Sequence, residues 1–101
     1  MKLWIDDVRP APEGYQWIQS VDSAKILILY YESLRYPVPI EVIDLDHDAG
    51  EFSTWGGDHI KLLDWLEETG RNYPIRIHSA NPVGVQNMRR IIERNGWKEV
   101  K

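Results

Sequence analysis

The sequence predicts an α/β fold in which a mostly parallel sheet is covered by helices on both faces, giving three layers. Short apolar runs, each the length of one strand, alternate with longer segments whose apolar residues recur at helical spacing. Strands that alternate with helices form parallel sheets, which the connecting helices bury. The 101 residues suffice for one core but not for two, so we expect a single domain over 1–101.

The alternation gives five strands and three helices. The strands are predicted at 2–6, 15–19, 40–46, 74–78 and 97–100. The helices are predicted from Ser20 or Asp22 to about Arg35, from about 58 to 69 and from about 83 to 95. Gly70 and Gly96 follow the last two helices, where glycine commonly ends a helix.

The connection between the first two strands is unusual. It has only about eight residues and is rich in proline, whereas a parallel crossover usually takes a dozen or more. Either an extended loop replaces the helix, or these two strands are not parallel. We expect the loop.

Composition excludes several classes of protein. A formal net charge of −4 excludes a broad basic surface for duplex nucleic acid, and the absence of cysteine excludes disulfides and thiol chemistry. The longest apolar run, 26–31, is far shorter than the ~20 residues that span a bilayer. The acidic residues at positions 6 and 7 are unlike a signal peptide. We therefore expect a soluble cytoplasmic protein without a membrane partner.

Polar residues cluster where three of the predicted strands end. Because the carboxyl ends of parallel strands share one edge of a sheet, these clusters should converge there. Converging carboxylates repel one another and favour a bound cation, and oxygen ligands without sulfur favour Mg²⁺ or Mn²⁺. A turn after the first strand is the simpler explanation for Asp6 and Asp7 taken alone. The second acidic cluster, at the end of the third strand, favours a metal site. The predicted metal ligands are Asp6, Asp7 and Asp46.

Two further acids are expected to support these ligands. Asp44 precedes Asp46 by two residues and so points to the same side of the sheet, but deeper. A buried carboxylate is costly unless it is paired or protonated. Asp44 is therefore either a neutral, hydrogen-bonded acid that supports the site or a sign that the strand register is shifted by one. Asp48 follows the same strand.

Histidines beside an acidic crevice are candidates for proton transfer, because imidazole titrates near neutral pH. His47 and His78 both end predicted strands. We rank His78 first, because Ser79 and Asn81 follow it directly. His59 falls in the first turn of a helix, and we expect it to be solvated.

The segment after His78 leads into a helix N-terminus, which favours phosphate through its free N–H groups and its dipole. Ordinary helix capping is the alternative use of the same residues. Arg9 could reach an anionic substrate from the first loop, or form a surface ion pair. The predicted phosphate-binding residues are Arg9, Ser79, Asn81 and Gly84.

The arrangement of strands and acids resembles the receiver domain of two-component signalling, a flavodoxin-like fold. The resemblance implies that Asp6 and Asp7 hold Mg²⁺, that Asp46 accepts phosphate or acts as a nucleophile, and that Ser79 contacts the phosphoryl group. The first and last helices of a receiver are reduced or missing, and no Lys-Pro pair follows the last strand.

The motifs are more similar to a small receiver-like family, the cyclic-phosphate-processing receiver domain. The matching segments are Ile5-Asp6-Asp7-Val8-Arg9-Pro10-Ala11-Pro12, Leu45-Asp46-His47-Asp48, Gly57-Asp58, His78-Ser79-Ala80-Asn81-Pro82-Val83-Gly84 and Asn87-Met88. The resemblance covers nearly the whole chain. Asp44 departs from it, since a small residue is expected there.

Three functions follow as hypotheses. The first is a metal-dependent enzyme acting on a phosphoester, such as a cyclic phosphate of a nucleotide or an RNA end, with Asp46, His78 and His47 as catalytic residues. The second is a signalling receiver phosphorylated on Asp46. The third is a non-catalytic module that holds a structural ion. The expected partner is a small phosphorylated molecule, and the sequence makes no prediction of oligomeric state.

Overall fold

The computed structural model describes all 101 residues, which form four strands, three α-helices and one short 3-10 helix. The strands are β1 (Lys2–Ile5), β2 (Tyr15–Ile18), β3 (Val42–Leu45) and β4 (Ile75–Ile77). The α-helices are α1 (Val21–Ser33), α2 (Ile60–Glu68) and α3 (Pro82–Asn95). The 3-10 helix, Gly50–Thr54, lies between β3 and α2.

The sheet is parallel throughout, with strand order β2-β1-β3-β4. The connection from β1 to β2 is a loop, as predicted, and the two strands pair in parallel from Lys2 with Tyr15 to Ile5 with Ile18. The Trp4 indole Nε1 donates to the carbonyl of Arg9 at 2.9 Å, which holds this loop over one face of the sheet.

A single core lies on one face of the sheet, so the prediction of helices on both faces is wrong. Alternate strand residues and the inner faces of all three helices form one buried cluster of 17 residues. Right-handed crossovers explain this arrangement. The chain moves in one direction across the sheet from β2 to β3 and on to β4, so α1 and α2 lie on the same face. A helix between β1 and β2 would cover the opposite face, but a loop takes its place.

The predicted fifth strand does not form. Its segment makes one isolated parallel bridge, between Ile75 and Glu99. Ile75 N–H donates to the Lys98 carbonyl at 2.9 Å, and Val100 N–H donates back to the Ile75 carbonyl at 2.7 Å. Trp97 instead packs into the core at 8% exposure. Pairing confined to Ile75 gives no ladder, and the sheet has four strands rather than five.

Capping residues set the starts of α1 and α3. Ser20 Oγ accepts a hydrogen bond from Ser23 N–H and caps α1, which resolves the choice between Ser20 and Asp22. Asn81 Oδ1 accepts from Gly84 N–H at 3.0 Å and caps α3, while Pro82 occupies the first turn. None of the three helices has the length and apolar character needed to cross a membrane.

Candidate functional site

Three carboxylates from two strands meet at the carboxyl edge of the sheet. Asp6 and Asp7 follow β1, and Asp46 follows the neighbouring β3. Asp46 N–H donates to the Ile5 carbonyl at 3.0 Å, which ties the two strand ends together. One ligand atom from each residue lies within 4.8 Å of the others, so the predicted metal ligands are brought into one group.

Asp6 is fully buried and held from both sides of its carboxylate. Its Oδ1 accepts from Val8 N–H at 2.9 Å and Arg9 N–H at 2.8 Å, and its Oδ2 faces His78 Nε2 at 2.9 Å. Burial raises the pKa of this carboxyl, but the N–H groups of Arg9 and Val8 together with His78 outweigh burial and hold the pKa below its usual range. Asp6 therefore stays ionised at neutral pH.

The group has the character of a site for a hard cation. Asp7 and Asp46 form no ion pair within the protein. Two carboxylates 4 Å apart repel by about 4 kcal/mol at an effective dielectric of about 20. The 3-10 helix begins with its backbone against Asp7, where a Cβ on Gly50 would lie 2.3 Å from Asp7 Oδ2. An all-oxygen set with uncompensated negative charge fits Mg²⁺ or Mn²⁺.

A chain of polar contacts runs from the solvent to Asp6. Arg76 Nη1 donates to Asp44 Oδ2 at 3.0 Å, and Asp44 Oδ1 faces His78 Nδ1 at 2.6 Å. Asp44 and Asp6 are both fully buried. Asp44 lies opposite Trp4 in the register, so it is on the same side of the sheet as Asp6, and it is paired with Arg76 and His78. The His78 ring stacks on Trp4, with centroids 3.7 Å apart and planes 5° from parallel. Stacking and two carboxylates fix the ring in place.

His47 lies on the other side of Asp46 and keeps one ring nitrogen free. Its Nδ1 donates to Asp48 Oδ1 at 2.7 Å, and its Nε2 has no partner within the protein. Gly84 in the first turn of α3 lies against the ring, where an added Cβ would be 2.5 Å from His47 Cγ. Because only glycine permits this approach, Gly84 makes room for His47. Asp58 lies in the same group, with a ligand atom within 4.8 Å of His47 and Asp48.

The remaining predicted phosphate-binding residues make local contacts. Ser79 Oγ accepts from Asn81 N–H at 3.2 Å, and Asn81 Oδ1 is engaged in capping α3. Arg9 Nε lies 3.9 Å from Asp6 Oδ2 with its side chain 53% exposed. The structure thus gives each of the three a structural partner and places Arg9 beside the carboxylates.

His59 was predicted to be solvated, and this prediction is wrong because the residue is fully buried. Its Nε2 donates to the Gln19 carbonyl at 3.1 Å, which joins the start of α2 to the segment after β2. Its Nδ1 is buried without a partner. His59 precedes Leu62, Leu63 and Leu66 at helical spacing, and all three are buried. That spacing was the sign that His59 belongs to the inner face.

Sequence reasoning assigned no role in the site to three residues that lie in or beside it, although Asp58 stands in one of the family-like segments. Trp4 lies two residues before Asp6 and so shares its face of the sheet. Arg76 lies two residues before His78 and directly opposite Asp44 in the register. Alternation along the strands could have found both. Asp58 could not be found this way, because the loop that carries it back to His47 has no strand register.

Comparison with known families assigns the chain. A family described as the cyclic-phosphate processing receiver domain matches residues 1–94. The chain belongs to this family. No curated protein and no solved structure gives a significant match. In this cyclic-phosphate processing receiver domain, an acidic group lies at the carboxyl edge of a parallel sheet.

Proposed function

We propose that this domain hydrolyses a cyclic phosphodiester in the presence of Mg²⁺ or Mn²⁺. The observation that carries the proposal is the juxtaposition of three carboxylates, two of them without a basic partner, with a histidine that keeps Nε2 free. The family description supports a cyclic phosphate as the substrate class. The substrate is a small phosphorylated molecule, such as a nucleotide or an RNA end.

Asp6, Asp7 and Asp46 would hold the cation, which polarises the phosphoryl oxygens when bound. Asp46 Oδ1 accepts from the N–H of His47 at 2.7 Å, which fixes the carboxylate and leaves its second oxygen for the crevice. Arg9 lies beside Asp6 with its guanidinium half exposed, and it can bind a phosphate oxygen from the loop side.

His47 is the better of the two histidines for proton transfer. Asp48 accepts from Nδ1 and thereby leaves Nε2 as the basic nitrogen. In the proposed reaction His47 Nε2 takes a proton from water as the water oxygen bonds to phosphorus. One ester bond of the ring breaks, and the leaving oxygen takes the proton that His47 received, which yields a phosphate monoester and restores His47.

His78 acts on Asp6 and not on the substrate. Both of its ring nitrogens face carboxylate oxygens, so neither is directed at a substrate. Its contact with Asp6 sets the position of a proposed metal ligand. The geometry therefore favours His47 over His78 as the general base.

Turnover of cyclic nucleotides tests the proposal. Nucleoside 2′,3′- and 3′,5′-cyclic phosphates would be incubated with the protein and Mg²⁺ or Mn²⁺, and products followed by phosphorus NMR. We expect a monoester product with the wild type, none with Asp46→Asn, and a rate lower by about 100-fold or more with His47→Ala. Asp64→Asn on α2 is the control, and it should retain the rate of the wild type. Absence of turnover with every substrate and both ions would contradict the proposal.

A phosphorylated receiver is the second candidate function, favoured by the position of Asp46 at the end of β3 beside Asp6 and Asp7. Incubation of the protein with a small phosphodonor distinguishes the receiver function from the hydrolase function. An adduct that is stable to acid, labile to base and absent in Asp46→Asn would indicate signalling. Ion binding that stabilises the fold, with neither turnover nor adduct, would indicate a structural ion instead.

A further inference from the structure

Of the three proposed cation ligands, Asp7 has the least support for its carboxylate. Both carboxylate oxygens of Asp6 face hydrogen-bond partners, and Asp46 Oδ1 accepts from the His47 N–H. The carboxylate of Asp7 accepts no hydrogen bond and forms no ion pair within the protein. Ordering a mobile side chain costs conformational entropy. Any support for Asp7 as a ligand therefore acts through its main chain.

Two side chains from the β2 edge bind the main chain on either side of Asp7. Trp17 Nε1 donates to the Asp6 carbonyl at 2.8 Å. Gln19, which directly follows β2, donates from Nε2 to the Asp7 carbonyl at 3.0 Å. The Asp6 N–H also donates to the Ile18 carbonyl at 3.1 Å. Three consecutive residues after β1 and β2 are thus joined by hydrogen bonds at the carboxyl edge of the sheet.

The two side-chain hydrogen bonds restrict the backbone around the Cα of Asp7. A peptide unit is planar, so a hydrogen bond to its carbonyl limits the rotation of the whole unit. The Asp6 carbonyl belongs to the unit before this Cα, and the Asp7 carbonyl belongs to the unit after it. With both units held, the φ and ψ angles of Asp7 are restricted, and so is the direction of its Cα–Cβ bond. The carboxylate then keeps only its side-chain torsions.

Burial in the core does not explain either donor. Trp17 is 38% exposed, Gln19 is half-buried, and neither belongs to the core cluster. Gln19 is itself supported by His59, whose buried Nε2 donates to the Gln19 carbonyl at 3.1 Å. The N–H of His59 donates to the His47 carbonyl at 2.8 Å. The start of α2 therefore supports both the segment that carries Gln19 and the segment that carries His47.

We propose that Trp17 and Gln19 are positioning residues of the cation site, which hold Asp7 in the direction needed to share an ion with Asp6 and Asp46. The proposal rests on the proposed function only in taking these three carboxylates as the ligands. Residues that orient a metal ligand without touching the metal typically change metal affinity by about 10- to 100-fold. A purely structural role would lower stability and leave the affinity for the ion unchanged.

Calorimetric titration of Mn²⁺ into the wild type and four variants tests the proposal. Trp17→Phe and Gln19→Met each remove one hydrogen-bond donor and keep most of the side-chain volume. We expect each variant to bind Mn²⁺ about tenfold more weakly than the wild type. Gln16→Met and Trp55→Phe are the matched controls, because both side chains are exposed and donate no hydrogen bond within the protein. The two controls should bind Mn²⁺ like the wild type.

Thermal unfolding without added ion distinguishes positioning from stability. Ile28→Val removes one buried methyl group from the core face of α1 and should lower the melting temperature. We expect this variant to bind Mn²⁺ as tightly as the wild type, although it is less stable. A loss of affinity in Ile28→Val as large as that in Trp17→Phe and Gln19→Met would overturn the proposal. If Trp17→Phe does not fold, Gln19→Met provides the titration.

The indole N–H signal of Trp17 gives a second measurement in the wild type. The chain has five tryptophans, and the signals missing from Trp17→Phe and Trp55→Phe identify two of the five in the NMR spectrum. On addition of Mg²⁺ we expect the Trp17 signal to shift, because its acceptor is the carbonyl of a proposed ligand, and the Trp55 signal to stay.

The outcomes distinguish this proposal from the proposed function. If the wild type binds Mn²⁺ but Trp17→Phe and Gln19→Met bind it equally tightly, the proposal is overturned while the cation site stands. A wild type that binds no ion would overturn both. Ion binding that depends on Trp17 and Gln19, without turnover of any cyclic phosphate, would support the positioning role and contradict the proposed hydrolysis alone.

Discussion

Gly84 shows how one missing side chain positions another at the site. Alanine at an interior helix position is favoured over glycine by about 1 kcal/mol. Here, however, a Cβ would lie 2.5 Å from His47 Cγ, and overpacking of this kind costs about 1–3 kcal/mol. The clash outweighs the gain in helix propensity.

Gly84→Ala is therefore expected to lower the free energy of unfolding by about 1 kcal/mol, despite its better helix propensity. Urea unfolding measures this change, and Val83→Ala at the exposed neighbouring position serves as the control. A Gly84→Ala variant more stable than the wild type would show that the His47 ring does not lie against α3.

The lowered pKa of Asp6 makes the free energy of unfolding depend on pH in the acid range. Its pKa is lower in the folded chain than the ordinary 3.8, so its stabilising effect is complete above about pH 4. The effect is lost as the pH falls through the folded pKa, because the unfolded chain then binds the proton more readily. We expect the free energy of unfolding to fall less steeply between pH 5 and about 2 in Asp6→Asn than in the wild type.

Chemical denaturation at several pH values measures these slopes. Glu13→Gln removes one exposed carboxyl of the β1–β2 loop and should keep the slope of the wild type. Equal slopes for Asp6→Asn and the wild type would contradict the assignment of Asp6 as an ionised, hydrogen-bonded acid.

At the scale of elements, the N-terminus of α3 is capped by Asn81, and its first turn lies against His47 beside the acidic group. Asn81 Oδ1 accepts from Gly84 N–H, and the loss of such a cap costs about 1 kcal/mol. Asn81→Ala should therefore lose about 1 kcal/mol of stability, while Asn81→Ser retains most of it because serine also caps helices.

Thermal or urea unfolding distinguishes the two Asn81 variants. If Asn81 also binds phosphate, Asn81→Ser will reduce turnover at low substrate concentration while leaving stability nearly unchanged. Equal stability of Asn81→Ala and the wild type would contradict the capping role.

The elements that sequence patterns predict best are those with strong local chemistry. All three helices have apolar stripes, side chains cap α1 and α3, and a glycine follows α2 and α3. Their observed bounds differ from the predicted ones by two residues at most. The predicted segment 97–100 has strand-like composition, yet Trp97 packs into the core instead of extending a ladder. Local composition cannot show that this segment pairs with β4 at Ile75 alone, which is too little for a strand.

At the scale of the whole molecule, the convergence of the acids could be predicted because parallel strands share one carboxyl edge. The one-sided placement of the helices was not predicted, although it follows from the strand order together with right-handed crossovers. Asp58 and the burial of His59 depend on how the loop after β3 returns to the sheet, and a loop has no period from which to infer this.

The one-sided fold also explains the polar chain behind the site. Without a helix over the second face, Trp4, Asp44, Arg76 and His78 share that face with the β1–β2 loop. In a sheet buried on both sides, Asp44 would be a costly unpaired charge. Here Arg76 reaches it from solvent with its side chain 45% exposed.

Calorimetric titration of Mg²⁺ and Mn²⁺ into the wild type, Asp46→Asn and the control Asp64→Asn tests the central claim most directly. That claim is that Asp6, Asp7 and Asp46 together form a cation site. We predict one ion per chain for the wild type and the control, with affinity lower by at least about tenfold in Asp46→Asn. A wild type that binds neither ion, or an Asp46→Asn variant that binds as tightly as the wild type, would contradict it.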